Sequence, residues 1–156
     1  MAAVEARLAE LGIDLPDVVP PVAAYTPAVV DGNHVYTSGQ LPMVSGALPA
    51  TGKVGEGHGL VPAADAKEYA RICALNALAA VKSVIGSLDR VTRVVKVVGF
   101  VSSDPSFTGQ PGVINGASDV LGEVFGDIGV HARSAVGVSV LPLDSPVELE
   151  LLVTFE

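Results

Sequence analysis

A chain of 156 residues fits one folded domain, residues 1–156, and leaves no length for a second. Hydrophobic residues make up 49% of it and its mean hydropathy is +0.52, enough apolar surface for a core and for an interface as well. Nine Lys and Arg against 17 Asp and Glu leave a net charge of −8, which argues against avid nucleic-acid binding, because that affinity comes from basic side chains displacing counterions from phosphates.

Val4, Leu8 and Leu11 recur at helical spacing within Ala2–Leu11 and Gly12 can stop the turn, so residues 1–15 are predicted as a short helical extension. Met1 is followed by Glu5, Arg7 and Glu10 rather than by a basic segment and an apolar run, which predicts no secretory signal and a cytoplasmic location. Pro16, Pro20 and Pro21 make an extended linker into a strand over Val22–Val30. Asp31-Gly32-Asn33 is a turn signal, and His34–Ser38 reads as the returning strand of a hairpin.

The stretch Gly39–Pro62 is rich in glycine and proline and is expected to be a long loop with room for one short strand near Lys53–Val54. Its Gly55-Glu56-Gly57-His58-Gly59 lacks the Gly-Lys-Ser/Thr ending of a phosphate loop and carries an acid where a phosphate would sit. Ala64–Ile85 is the clearest helix, with Ala66, Ala70, Cys73, Ala77, Val81 and Val84 every three or four residues. Cys73 is the only cysteine, which excludes an internal disulfide and a multi-cysteine metal cage. The apolar run Ile72–Val81 is about half the length needed to cross a bilayer, so no membrane association is expected.

Val91–Val101 has strand composition. Gln110–Phe125 reads as a second helix, and Arg133–Val140 and Val147–Phe155 close the chain as two strands. His34, His58 and His131 show no metal-ligand spacing, so no metal site is expected.

The last two strands alternate clearly. In the first, Ser134, Val136, Val138 and Val140 share one face, assigned to the core, while Arg133, Ala135, Gly137 and Ser139 share the face left for solvent, ligand or another subunit. In the second, Val147, Leu149, Leu151 and Val153 face the core and Glu148 and Glu150 face away. The short Leu141–Pro146 connection makes the two strands run in opposite directions. Arg133 and Glu148, each near the start of its strand, should then lie about 15–20 Å apart within one chain. They can share a small substrate only across a subunit boundary.

His131-Ala132-Arg133-Ser134-Ala135-Val136, Leu141-Pro142 and Val147-Glu148-Leu149-Glu150 resemble the signature of the RidA (YjgF/YER057c) family. Tyr25-Thr26-Pro27-Ala28-Val29 and Thr37-Ser38-Gly39-Gln40-Leu41-Pro42 match its two N-terminal motifs, so the likeness spans most of residues 20–155 in order. The resemblance implies an α+β, chorismate-mutase-like fold: a mixed β-sheet with two helices packed on one face, assembled as a homotrimer with clefts between subunits. It also implies an enamine/imine deaminase that hydrolyses 2-aminoacrylate-type intermediates to 2-keto acids and ammonia with no cofactor.

By the same resemblance, Arg133 and Glu148 are the catalytic candidates. Arginine suits a carboxylate because its planar fork makes two parallel, charge-assisted hydrogen bonds, and a glutamate beside the attacking water can move protons. Tyr25, Ser38 and Gly39 match cleft residues, with Gln40 next to them, and His131 is a further ligand candidate. Ser118 stands where the family has an asparagine, Asn115 lies one turn earlier and could substitute, and Ala135 replaces a common cysteine. These departures, with the extension and longer loop, suggest a distinct subgroup. Two other functions stay open: a non-catalytic or regulatory trimer that binds a small carboxylate, and a ribonuclease, which the charge disfavours.

Overall fold

The computed structural model describes residues 3–21 and 23–156, so the expected strand start at Val22 and helix start at Ala2 lie outside the described residues. The elements in chain order are α1 (Val4–Glu10), β1 (Ala28–Asp31), β2 (His34–Thr37), α2 (Ala63–Ile85), β3 (Val91–Ser102), α3 (Gln110–Phe125), β4 (Ala132–Val138) and β5 (Val147–Phe155). They form one five-stranded sheet ordered β1-β2-β5-β3-β4. Only the β3–β4 pair is parallel, joined by α3 as a crossover. The final strand β5 is thus inserted at the centre, between the β1–β2 hairpin and the β3–α3–β4 unit that α2 connects.

β1 is shorter than expected. Its first residue follows Pro27, which has no N–H to donate, so only half of the next pair with β2 forms, the Ser38 N–H to the Pro27 carbonyl at 2.8 Å. The Gly39–Pro62 segment is loop, as expected, pinned by isolated bridges from Gln40 to Leu149 and from Val54 to Val61 and Ser103.

α2 and α3 cover one face of the sheet, over Val35, Val97, Val101, Leu149, Leu151 and Val153. The two helices cross at Gly116. A Cβ there would sit 2.8 Å from the Lys67 carbonyl carbon, so the backbones touch with no space for a side chain. α1 is more than an appendage. Its Val4 and Leu8 join the core, and the Glu5 carboxylate accepts hydrogen bonds from Lys82 Nζ at 2.9 Å and the Leu88 N–H at 3.0 Å. Burial pushes the Glu5 carboxyl up, but those bonds, the Lys82 charge and Ser87 outweigh it and hold the group below its ordinary range.

The face assignment made for β4 is reversed. Arg133 pairs with Val97 and Ala135 with Gly99, placing Arg133, Ala135 and Gly137 on the helix side, while Val136 is 44% exposed on the other. Small residues line the helix side because α3 lies close. A Cβ on Gly99 would come within 2.5 Å of Ile114 Cγ1, and one on Gly137 within 2.8 Å of Gln110 Nε2. Their smallness signals a close helix rather than an open cleft. The face opposite the helices carries Val29, Tyr36, Leu152, Val98, Phe100 and Val136 interleaved with Asp31, His34, Lys96, Ser134, Glu148, Glu150 and Thr154. It is mixed apolar and polar, and among the described residues no helix or strand covers it.

Candidate functional site

The residues singled out in the sequence fall into two groups on opposite faces of the sheet. The first gathers around Arg133 on the edge strand β4, whose side chain lies against α3. Its Nη1 donates to Asn115 Oδ1 at 2.8 Å and to Ser118 Oγ at 3.1 Å, and its Nη2 donates to the Pro111 carbonyl at 3.4 Å. All three acceptors are neutral, and among the described residues no carboxylate forms an ion pair with Arg133. A guanidinium has five N–H donors, so the Nε–H and one Nη2–H remain without an acceptor. Asn115 and Ser118 therefore both hold the arginine, rather than one substituting for the other.

Ser118 links this grip to His131. The His131 Nδ1 lies 2.6 Å from the Gly129 carbonyl, which can only accept, so Nδ1 carries a proton. Its Nε2 lies 2.9 Å from Ser118 Oγ, so the same serine oxygen that accepts from Arg133 is hydrogen-bonded to the ring. Ala135, two residues along on the same face, packs at the margin of the core.

The second group surrounds Glu148 on the uncovered face. A cavity of about 490 Å³ opens there, and its walls include Tyr25, Gly39, Gln40 and Glu148. Gly39 is what admits the carboxylate: a Cβ at that position would lie 2.9 Å from Glu148 Cδ and would overlap Oε1. Burial pushes the Glu148 carboxyl above its ordinary range, and the neighbouring Glu150 charge adds to the shift. Ser38 stands behind this wall. Its hydroxyl donates to the Thr26 carbonyl at 2.6 Å, which fixes the segment carrying Tyr25.

Four wall residues escaped the sequence reading as site residues: Val19, Pro20, Met43 and Leu143. Val19 and Pro20 come from the linker after α1, and Leu143 comes from the β4–β5 connection, at φ +58. Leu141-Pro142 marked that connection in the sequence, but nothing in the composition signals a leucine at positive φ.

Arg133 and Glu148 do not meet within the chain. They stand opposite Val97 and Phe100 of β3, from strands on either side of it, so they are about 10 Å apart along the strands and about 10 Å across them, on opposite faces. The expectation of opposite strand directions agrees with the sheet, although β3 separates the two strands. Among the described residues no three His, Cys, Asp or Glu side chains come together as a cation cage.

A mixed sheet with β5 inserted at its centre and α2 and α3 on one face is an α+β protein of chorismate-mutase-like fold. A family model described as "YjgF/chorismate mutase-like, putative endoribonuclease" matches residues 5–155. The chain belongs to that family, the RidA (YjgF/YER057c) family. It is similar to Protein TCP17 of Trypanosoma cruzi, 44% identical over 153 residues that cover 96% of this chain and 92% of that protein.

Among solved structures, Atu1372 of Agrobacterium tumefaciens, described as of unknown function, is 44% identical with a TM-score of 0.89, covering 99% of this chain and 93% of that one. A protein of Shewanella oneidensis MR-1 described as a putative endoribonuclease is 31% identical with a TM-score of 0.92, covering 98% and 99%. Such coverage includes the N-terminal extension.

Proposed function

We propose that the protein is a cytoplasmic enamine/imine deaminase acting on 2-amino-acid-derived intermediates of the 2-aminoacrylate type, with sites shared between the subunits of a homotrimer. The observation that carries it is the state of Arg133: a part-buried cation held by three neutral acceptors, with no carboxylate partner and two donors unused among the described residues. A substrate carboxylate supplies the missing charge and takes both donors in one plane. The exposed Val29, Tyr36 and Val136 on the uncovered sheet face support association, and a symmetric ring would bring Arg133 of one subunit to Glu148 of the next.

In that composite site the ionised Glu148 takes a proton from water as the oxygen adds to the imine carbon and passes that proton to the imine nitrogen, giving a neutral carbinolamine. Glu148 then takes the carbinolamine hydroxyl proton as C=O forms and the C–N bond breaks, and delivers it to the departing nitrogen as ammonia. The balance is one 2-imino acid and one water in, one 2-keto acid and one ammonia out. An enamine enters the same route after protonation at carbon. A carboxyl whose ionised form is disfavoured by burial is a stronger base than a solvated one, which suits this role.

The test is release of ammonia from enzymatically generated 2-imino acids. Arg133→Ala should abolish the acceleration while leaving the oligomer intact. Saturable binding of 2-keto acids without turnover by any precursor would instead leave a non-catalytic carboxylate-binding trimer. Nuclease activity, suggested by the description of relatives, finds little support in a chain of net charge −8.

A further inference from the structure

A second cavity, of about 660 Å³, opens between the linker after α1, the turn at Val44–Gly46 and the side of α2. Its floor is one face of that helix, where Ile72, Leu75 and Asn76 stand at i, i+3 and i+4. Both walls are fixed by main-chain bonds. Ile13 is buried and its N–H donates to the Leu8 carbonyl at 2.9 Å, which sets the start of the linker. Val44 and Ala47 exchange hydrogen bonds at 2.9 and 3.1 Å around Ser45 and Gly46, both at positive φ, and this tight turn holds the exposed Val44 in the wall.

Two features of the space have no use in the fold. Asp14 and Asp17 line it from the linker and are exposed, and among the described residues neither carboxylate has an ion-pair partner. No lysine, arginine or histidine is in the described lining. The second feature is Asn76, the one amide in the wholly buried and otherwise apolar run Cys73–Val81. Its Nδ2 donates to the Leu41 carbonyl at 2.9 Å and the Met43 carbonyl at 3.1 Å, which ties the loop to the helix and fixes which way the amide points. Its Oδ1 is buried with no hydrogen-bond partner among the described residues. The two carbonyls account for the donor half of the amide. The acceptor half, at the floor of the cavity, carries the cost of an unmade hydrogen bond.

We propose that this cavity binds an organic amine cation, with its ammonium group at Asp14 and Asp17, its apolar chain along Ile72, Leu75 and Val44, and a neutral N–H or O–H donor on Asn76 Oδ1. Two unpaired carboxylates on a chain of net charge −8 attract a cation and repel an acid, so the space rejects the anions that suit Arg133. A buried neutral amide oxygen takes a neutral donor at less cost than an ammonium, which would lose its hydration there. A bare metal ion fits poorly, because among the described residues no third His, Cys, Asp or Glu joins the two aspartates. The cavity shares Val19, Pro20 and Met43 with the space beside Glu148 but has neither that carboxylate nor Tyr25, Gly39 or Gln40 in its lining. The site stands or falls without the deaminase function.

The test is an NMR titration of the ¹⁵N-labelled protein at neutral pH, where alkylamines are protonated, with 6-aminohexan-1-ol, hexylamine, methylamine and hexanoate. 6-Aminohexan-1-ol should saturate with a Kd at least about tenfold below that of methylamine, because only the longer molecule meets the apolar walls. It should move the backbone amides of Ile72 and Leu75 and the side-chain amide of Asn76. Hexylamine, which lacks the second donor, should bind about threefold or more weaker, and hexanoate should leave these signals in place.

Asp14→Asn combined with Asp17→Asn changes only exposed side chains and should raise the Kd at least about fivefold at unchanged Tm. Ile72→Trp fills the floor while keeping both carboxylates, and should abolish the Asn76 shift. Equal affinity for methylamine and 6-aminohexan-1-ol, or shifts confined to Asp14 and Asp17, would mean attraction to surface charge alone and overturn the site. Hexanoate binding as tightly as the amines would overturn the assigned ligand charge. Equal binding of hexylamine and 6-aminohexan-1-ol would overturn the part given to Asn76.

Discussion

Replacing Gly39 by alanine perturbs Glu148 without touching its carboxyl group. Gly39 does not occupy the left-handed region, so alanine fits its backbone. Ordinary contact begins at 3.4 Å, and the new methyl would stand 2.9 Å from Glu148 Cδ, so Cδ must retreat by at least 0.5 Å, and the overlapped Oε1 by more. The obstacle is the far end of a flexible side chain, which can rotate away. Folding stability should therefore change by less than about 1 kcal/mol, helped by the smaller conformational freedom of alanine in the unfolded chain.

Catalysis should suffer far more, because a misplacement of about 1 Å in a proton-transferring group can cost on the order of 100-fold in rate. The assay is the imine hydrolysis described above, run beside thermal denaturation. Gly39→Ala should lower kcat by about 10- to 100-fold at nearly unchanged Tm. Combined with Glu148→Gln it should add little, since both changes remove one function. Full activity in Gly39→Ala would refute the idea that Glu148 acts from its present position, and additive losses in the double variant would assign Gly39 another role.

Arg133→Lys keeps the charge but loses the planar fork, so KM for imino acids and Kd for 2-keto acids should rise by about tenfold or more, measured by kinetics and calorimetry. Ser118→Ala removes one of the two acceptors on Nη1 and the partner of His131. It should weaken 2-keto acid binding by several-fold, and an unchanged Kd would show that Asn115 and Pro111 alone fix the arginine.

Glu148→Gln should lower kcat by about 100-fold or more. Because folding raises the Glu148 pKa, the native state holds a proton that the unfolded chain releases, so wild-type stability falls as pH rises from the ordinary carboxylate value through the raised one. The glutamine variant lacks that loss, and its Tm relative to wild type should climb across the same window. The acid limb of the wild-type activity profile should also lie above the ordinary carboxylate range.

Glu5 has the opposite sign. Its lowered pKa contributes stability above the unfolded value that is lost as pH falls through the folded one. Glu5→Ala should cost about 1 kcal/mol at neutral pH and little once the carboxyl is protonated, as read by denaturant titration.

Much of the fold was legible because periodicity survives in single elements. The bounds of α3 and β5 agree with the structure, and α2 differs by one residue at its start. The reversal at β4 shows where periodicity stops. Alternation separates Arg133, Ala135 and Gly137 from Val136 and Val138, but it does not say which set faces inward when the outward set of the strand is valine. Volume held the missing information, since a face of alanine and glycine lets a helix approach.

At the candidate site, the sequence motifs named Arg133, Glu148 and Tyr25 without indicating that they divide between two faces. Sheet order decides that, and it depends on β5 entering between β2 and β3, a pairing across more than a hundred residues. Leu143 and Val19 left no trace in the pattern, and Pro20 read only as linker, because their role comes from turn geometry and linker path.

The meeting of α2 and α3 at Gly116 bears on how this protein could be re-engineered. Asn115 and Ser118, which aim Arg133, flank a point where main chain rests on main chain, so their position follows the helix axes and not any repackable side chain. The wall of Val19, Pro20 and Leu143 sits on linker and turn, where residues can be exchanged without moving a helix. The molecule therefore contains a fixed datum and an adjustable jaw. Libraries confined to the jaw should retune which side chain is admitted while the calibration of the carboxylate grip stays untouched.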